Sequence, residues 1–96
     1  MIQNVTVSAS AAISLRPLVE SAIQTELKVL ELGLQRTRER LAEFEQRFAM
    51  TSADFERRFN TQELKESLDF IEWSGELKTL HLLEDQRQAL HGAKID

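Results

Sequence analysis

Three residues near the end of the chain have types and spacing that suit chemistry. His81, Glu84 and Asp85 stand at i, i+3 and i+4, so on a helix they share one face. A histidine and a carboxylate one turn apart can share a metal ion, as in helical di-metal bundles. Such a centre also needs inward carboxylates from other helices. Glu43, Glu72 and Glu76 are the candidates, but they lie beside charged surface positions. The trio therefore reads as an exposed histidine–acid pair, and His91 has no clear partner. Cysteine is absent, which removes thiolate ligands, a cysteine nucleophile and a disulfide framework. No serine or threonine stands in a nucleophile elbow, and no glycine-rich loop precedes a helix to cradle phosphate. No enzyme activity, metal or cofactor is expected.

The elements that carry these groups are helices. The chain has 96 residues, only three glycines and one proline, and 29% charged residues. With abundant Leu, Glu, Arg, Gln and Ala, this composition predicts a single all-α domain. Its dominant pattern is a run at alternating spacings of three and four: Leu27, Leu30, Leu34, Thr37, Leu41, Phe44 and Phe48. That is a coiled-coil seam held over three heptads. The spacing predicts a long helix over 14–49, with Ser14 as N-cap and Pro17 tolerated in the first turn. Leu15, Leu18, Val19, Ala22 and Ile23 give its start a broad apolar face, and Val29 and Leu32 widen it near the middle. A helix apolar on more than one side packs on more than one side. Gly33 allows a close helix crossing or a bend, or is simply tolerated.

Thr51 and Ser52 supply a second N-cap, with Asp54 in the first turn, and predict a short helix over 52–60. Asn60 and Glu63 form an N-x-x-E capping pattern, which predicts a return helix over 61–91. Leu64, Leu68, Ile71, Leu77, Leu80 and Leu83 form its face, widened by Phe70 and Trp73. Ser74 and Gly75 offer a bend, and Gly92 a C-terminal cap. Short connections favour an antiparallel return. The expected architecture is a long helix, a short corner helix and a return helix that form a coiled-coil-like bundle on oligomerisation. Residues 1–13 suit either an arm or a short strand at Val5, Thr6 and Val7.

A helix over 14–48 spans about 50 Å, which overshoots a compact monomer of this size. Leu27, Leu30, Leu34, Leu41, Phe44 and Phe48 are therefore expected to form an oligomer seam between copies of the chain, as a dimer or higher assembly. Net charge is −4, and residues 49–96 carry the whole deficit. That balance argues against nucleic acid and for a basic or neutral partner. No apolar run approaches a membrane span and the first residues lack a basic signal-peptide start, so a cytoplasmic location is expected.

Phe55, Phe59, Phe70 and Trp73 concentrate aromatic residues within nineteen positions. Their packing role is to plug the gap between the long helices. Their functional role would be docking, since Trp and Phe anchors dominate binding energy. Asp69, Glu72 and Glu76 surround Trp73 with acid. Phe70, Glu72, Trp73 and Glu76 are thus the candidate surface for a small basic protein.

Residues 48–59, FAMTSADFERRF, followed by residues 68–73, LDFIEW, carry a resemblance. They are similar to small bacterial and archaeal helical proteins with a Met-[Ser/Thr]-Ser-x-x-Phe-x-x-x-Phe element and an acidic-x-x-Glu-Trp element. Some of these look like antitoxin partners of small TumE-type toxins. The segment between Phe59 and Asp69 departs from the group in lacking a glycine. The resemblance implies an antitoxin-like component that neutralises a toxin sterically. The reading from the residues alone is a coiled-coil adaptor.

Overall fold

A computed structural model describes residues 4–5 and 15–95. In chain order the elements are β1 (Asn4–Val5), α1 (Arg16–Phe48), α2 (Ser52–Asn60), α3 (Leu68–His91) and β2 (Lys94–Ile95). The fold is all-α: a long helix, a short corner helix and an antiparallel return helix. β1 and β2 are a two-residue parallel pair, Asn4 beside Lys94 and Val5 beside Ile95. The strand expected at Val5 thus pairs within its own chain; Thr6 and Val7 lie outside the described residues.

α1 forms because, beyond its first turn, Gly33 is the strongest breaker in its 33 residues. Pro17 falls in its first turn, where no amide donor is needed. The cap residue is Leu15, which makes no side-chain cap bond; the predicted cap, Ser14, lies outside the described residues. The helix ends where Ala49 turns left-handed, at φ 49°. Thr51 then caps α2 as expected, its Oγ1 accepting from the Asp54 amide at 3.1 Å.

The boundary at Asn60 is a correction. Asn60 is the last residue of α2, and α3 begins only at Leu68. Gln62 adopts φ 61°, the Glu63 amide reaches back to the Arg58 carbonyl and the Gln62 amide to that of Phe59. This double closure is a Schellman motif, with glutamine in the left-handed site that glycine usually fills. Glu63 does not cap Asn60; it accepts from the Thr61 hydroxyl at 2.6 Å. Ser67 is the true cap of α3, accepting from the Phe70 amide at 3.2 Å. α3 runs through Ser74 and Gly75 as one helix, and Gly92 has φ −85° rather than a left-handed cap.

The seam is the second correction. Leu27, Leu30, Leu34, Thr37, Leu41 and Phe44 are all buried, and Phe48 is half-buried against the core. α3 of the same chain occupies that face. A Cβ on Gly33 would meet Leu83 at 3.4 Å, an ordinary van der Waals distance, so this glycine is tolerated and not required. A heptad seam requires a facing helix, and a return helix across a short corner is the nearest one available.

Cross-helix ion pairs fix the register. Arg47 meets Asp69 at 3.1 Å, Arg40 meets Glu76 at 3.1 Å and Glu31 meets Arg87 at 3.0 Å. Each step back along α1 is a step forward along α3. His91, the end of α3, lies beside Gln24 and Leu27 of α1. The first turns of α1 therefore reach past the end of α3, and none of residues 16–25 is buried, although Val19 and Ile23 are half-buried. The chain is elongated, 61 × 22 × 17 Å, with a radius of gyration of 18.7 Å. A compact domain of this size has about 13 Å.

Phe55 is fully buried, whereas Leu32 is 65% exposed. Phe55→Ala is expected to cost about 3–5 kcal/mol in chemical denaturation. Leu32→Ala in the same assay, at a concentration where the chain is monomeric, should cost under about 0.5 kcal/mol.

Candidate functional site

The corner is built from every aromatic residue in the chain: Phe44 and Phe48 from α1, Phe55 and Phe59 from α2, Phe70 and Trp73 from α3. Trp73 is its centre. Its ring stacks with Phe55 at 4.0 Å and 2° and with Phe44 at 5.6 Å and 8°. The indole N–H donates to Ser52 Oγ at 3.0 Å. The Ser52 amide in turn donates to the Glu45 carboxylate at 2.7 Å. Ser52 thus ties α2 to both long helices through its two polar groups. Outside, the Arg47 guanidinium lies 5.2 Å from the Phe48 ring centre, within cation–π range.

This geometry reassigns the candidate docking residues. Trp73 is fully buried within one chain and its N–H is satisfied, so it is core and not a docking surface. Phe70 is half-buried in the same ring cluster. Glu76 pairs with Arg40, and only Glu72 of the four is an exposed side chain without an ion pair among the described residues. Glu72 and Glu76 line a groove of about 610 Å³ shared with Arg40 and Arg47. The acid around Trp73 therefore belongs to the rim of the helix contact, where α1 supplies the opposite charge.

His81 ties two helices. Its Nε2 lies 3.3 Å from Glu56 of α2, and its Nδ1 3.7 Å from Glu84 one turn on. Asp85 takes no part. Among the described residues no group of three or more His, Asp or Glu is arranged to hold a metal ion. The Arg57 guanidinium, hydrogen-bonded at 2.7 Å, holds the Asp54 carboxyl below its ordinary range, with Arg58 adding to it. Both partners face solvent, and the pair supports the first turn of α2.

Large apolar side chains also remain available for contact. Leu18, Val29 and Leu32 stand exposed on α1, and Leu68, Ile71 and Leu82 on α3, between 48% and 78% accessible. The three on α1 lie on the side that the sequence marks as a second apolar face. The three on α3 lie opposite Trp73 and Leu77, so that helix is apolar on two sides as well. No helix among the described residues is long and apolar enough to cross a membrane.

In the free chain, Trp73 is expected to emit at short wavelength and to resist iodide quenching. Ser52→Ala leaves the indole N–H without its acceptor and should cost about 1–2 kcal/mol in denaturant melts followed by that emission. A red-shifted, iodide-accessible tryptophan in the native chain would contradict the buried corner.

No family model, curated protein or solved structure matches this chain.

Proposed function

We propose that this chain is a protein–protein interaction module that works as an assembly of its own copies. One observation carries the reading: large apolar side chains stay exposed on the outer faces of both long helices, although the inner seam is already filled. Isolated exposed leucines are ordinary on any surface. Rows of them on two helices are interaction surface. The role is that of a helical adaptor, in which a rigid aromatic corner holds two apolar helix faces apart for partners to cover. Sedimentation equilibrium at micromolar concentration should return at least twice the chain mass. A single-chain mass with full helicity would remove self-association from this reading.

An antitoxin-like component is the second reading. The resemblance at residues 48–73 supports it, together with Glu66, Glu72 and Asp85, exposed carboxylates that make no ion pair among the described residues. A small basic protein is the partner chemistry such a surface suits. Co-expression with a toxic, basic product of an adjacent reading frame should restore growth of the host. Growth arrest that persists at equal expression would count against this reading.

A further inference from the structure

α1 carries two stripes. The inner one holds Leu27, Leu30, Leu34, Thr37 and Leu41 and is covered by α3. The outer one holds Leu18, Ala22, Thr25, Val29 and Leu32, with the same alternation of four and three. It lies roughly 130° further round the axis at 3.6 residues per turn. Every one of its five residues is exposed, with Leu18 at 60%, Val29 at 54% and Leu32 at 65%. No charge interrupts it. The outer stripe of α3 has Leu68, Ile71 and Leu82, but Gly75 and Lys78 break it in the middle.

The stripe also lies where the chain most needs support. The first turns of α1 pass the end of α3, and no side chain of residues 16–25 is fully buried. Ala93 reaches the Glu20 and Ile23 side of this projection, and the Leu18 and Ala22 side stays open. A helical segment of this length is marginal in water without tertiary packing.

The surface area gives the scale of what is missing. The whole chain exposes 7113 Å². A compact monomer of 11.0 kDa exposes about 5,600 Å². The surplus, about 1,500 Å², follows from the elongated shape, and it exceeds the roughly 800 Å² that each partner buries in a standard interface.

The order of sizes along the stripe indicates the occupant. Large residues, Leu18 and Leu32, stand at its ends, and Ala22 and Thr25 are small near its centre. Turned end for end, the stripe presents Leu32 to Leu18, the larger Val29 to the small Ala22, and Thr25 to itself. It is complementary to itself under a two-fold rotation, the property an isologous contact requires.

Resting on the self-association reading above, we infer that a second copy of this chain packs antiparallel on the outer stripe of α1, with Leu18 of each copy against Leu32 of the other and Thr25 close to the two-fold axis. The hairpin pairs would then form a four-helix assembly in which the two α1 helices are central and the aromatic corners point away from each other.

Two measurements test this. First, the double variant Leu18→Glu with Leu32→Glu changes only exposed positions. It should sediment at the single-chain mass with the helical circular dichroism of the hairpin retained. Ile71→Glu with Leu82→Glu on α3 should keep the mass of the wild type. Second, the chain has no cysteine, so Thr25→Cys introduces a unique thiol. A short bis-maleimide should link Thr25→Cys chains into covalent dimers, and Ile71→Cys chains should stay unlinked. A dimeric wild type that is unmoved by the α1 pair, or linked through Ile71→Cys and not through Thr25→Cys, overturns this interface and leaves self-association standing. A monomeric wild type overturns both.

Discussion

The indole of Trp73 is the group on which the rest of the structure depends. Its faces and edges are met by Phe44 and Phe48 from α1, Phe55 from α2 and Phe70 from its own helix. Its one polar atom is met by Ser52. A domain of this size cannot bury a large core by volume alone. Placing all its aromatic surface at one corner concentrates the apolar contact where the chain reverses direction. An aromatic side chain removes more area from water per ordered residue than any aliphatic one. The corner then sets the start of the helix contact, and the leucines of the seam extend it. Packing is densest at the Phe55–Trp73 end and thins towards residues 16–25, where no side chain is buried. Local opening should follow the same gradient, from the free end of α1 inwards.

Much of this was legible in the sequence, because periodicity reports burial directly. The spacing from Leu27 to Phe48 identified the buried face of α1, and Thr51 identified the start of α2. The seam did not reveal whose helix would fill it. A heptad stripe specifies a facing helix and is silent on chain identity. Asn60 misled because a capping pattern is a local signal with a local competitor. The left-handed Gln62 closes α2 behind it, and the chain needs the further residues to Ser67 before α3 can align with the seam. Glutamine in a site that favours glycine leaves no mark in composition. Trp73 packs between the helices, one of the two roles its sequence context suits, and the docking reading fails for a different reason. Its acidic neighbours resembled a docking rim, but they lie opposite Arg40 and Arg47 across the helix contact. Charge read along one helix cannot show the charge that faces it from another.

The cross-helix pairs explain the uneven charge of the two halves. Glu76, Glu84 and Asp69 on α3 face Arg40, Arg38 and Arg47 on α1, and the one reversed rung joins Glu31 to Arg87. Exposed pairs of this kind contribute only fractions of a kcal/mol each. Their effect is on register. Sliding α3 by one turn would set leucines against leucines as before, since the seam repeats, but it would misalign the charges and pull Trp73 out of reach of Ser52. The corner and the ladder together select one alignment from several that the leucines alone accept. Three carboxylates of the second half are thus committed to arginines of α1, which removes them from the surface left for a basic partner.

Two apolar stripes on one helix imply an order of burial. The inner stripe is met by a helix tethered through a short corner, so its effective concentration is high and its contacts are near in sequence. The outer stripe has no tethered partner. Closing the hairpin is therefore the favoured first step, and it leaves the outer stripe exposed. In an obligate coiled coil the chain folds and associates in one step, and its stability cannot be separated from its concentration. Here the aromatic corner gives the single chain a core of its own. A dimer on the outer stripe would then dissociate to a folded hairpin with Leu18, Val29 and Leu32 uncovered, and not to an unfolded chain. That arrangement would allow one surface to be shared between a second copy and another partner by mass action, without rebuilding the core at each exchange.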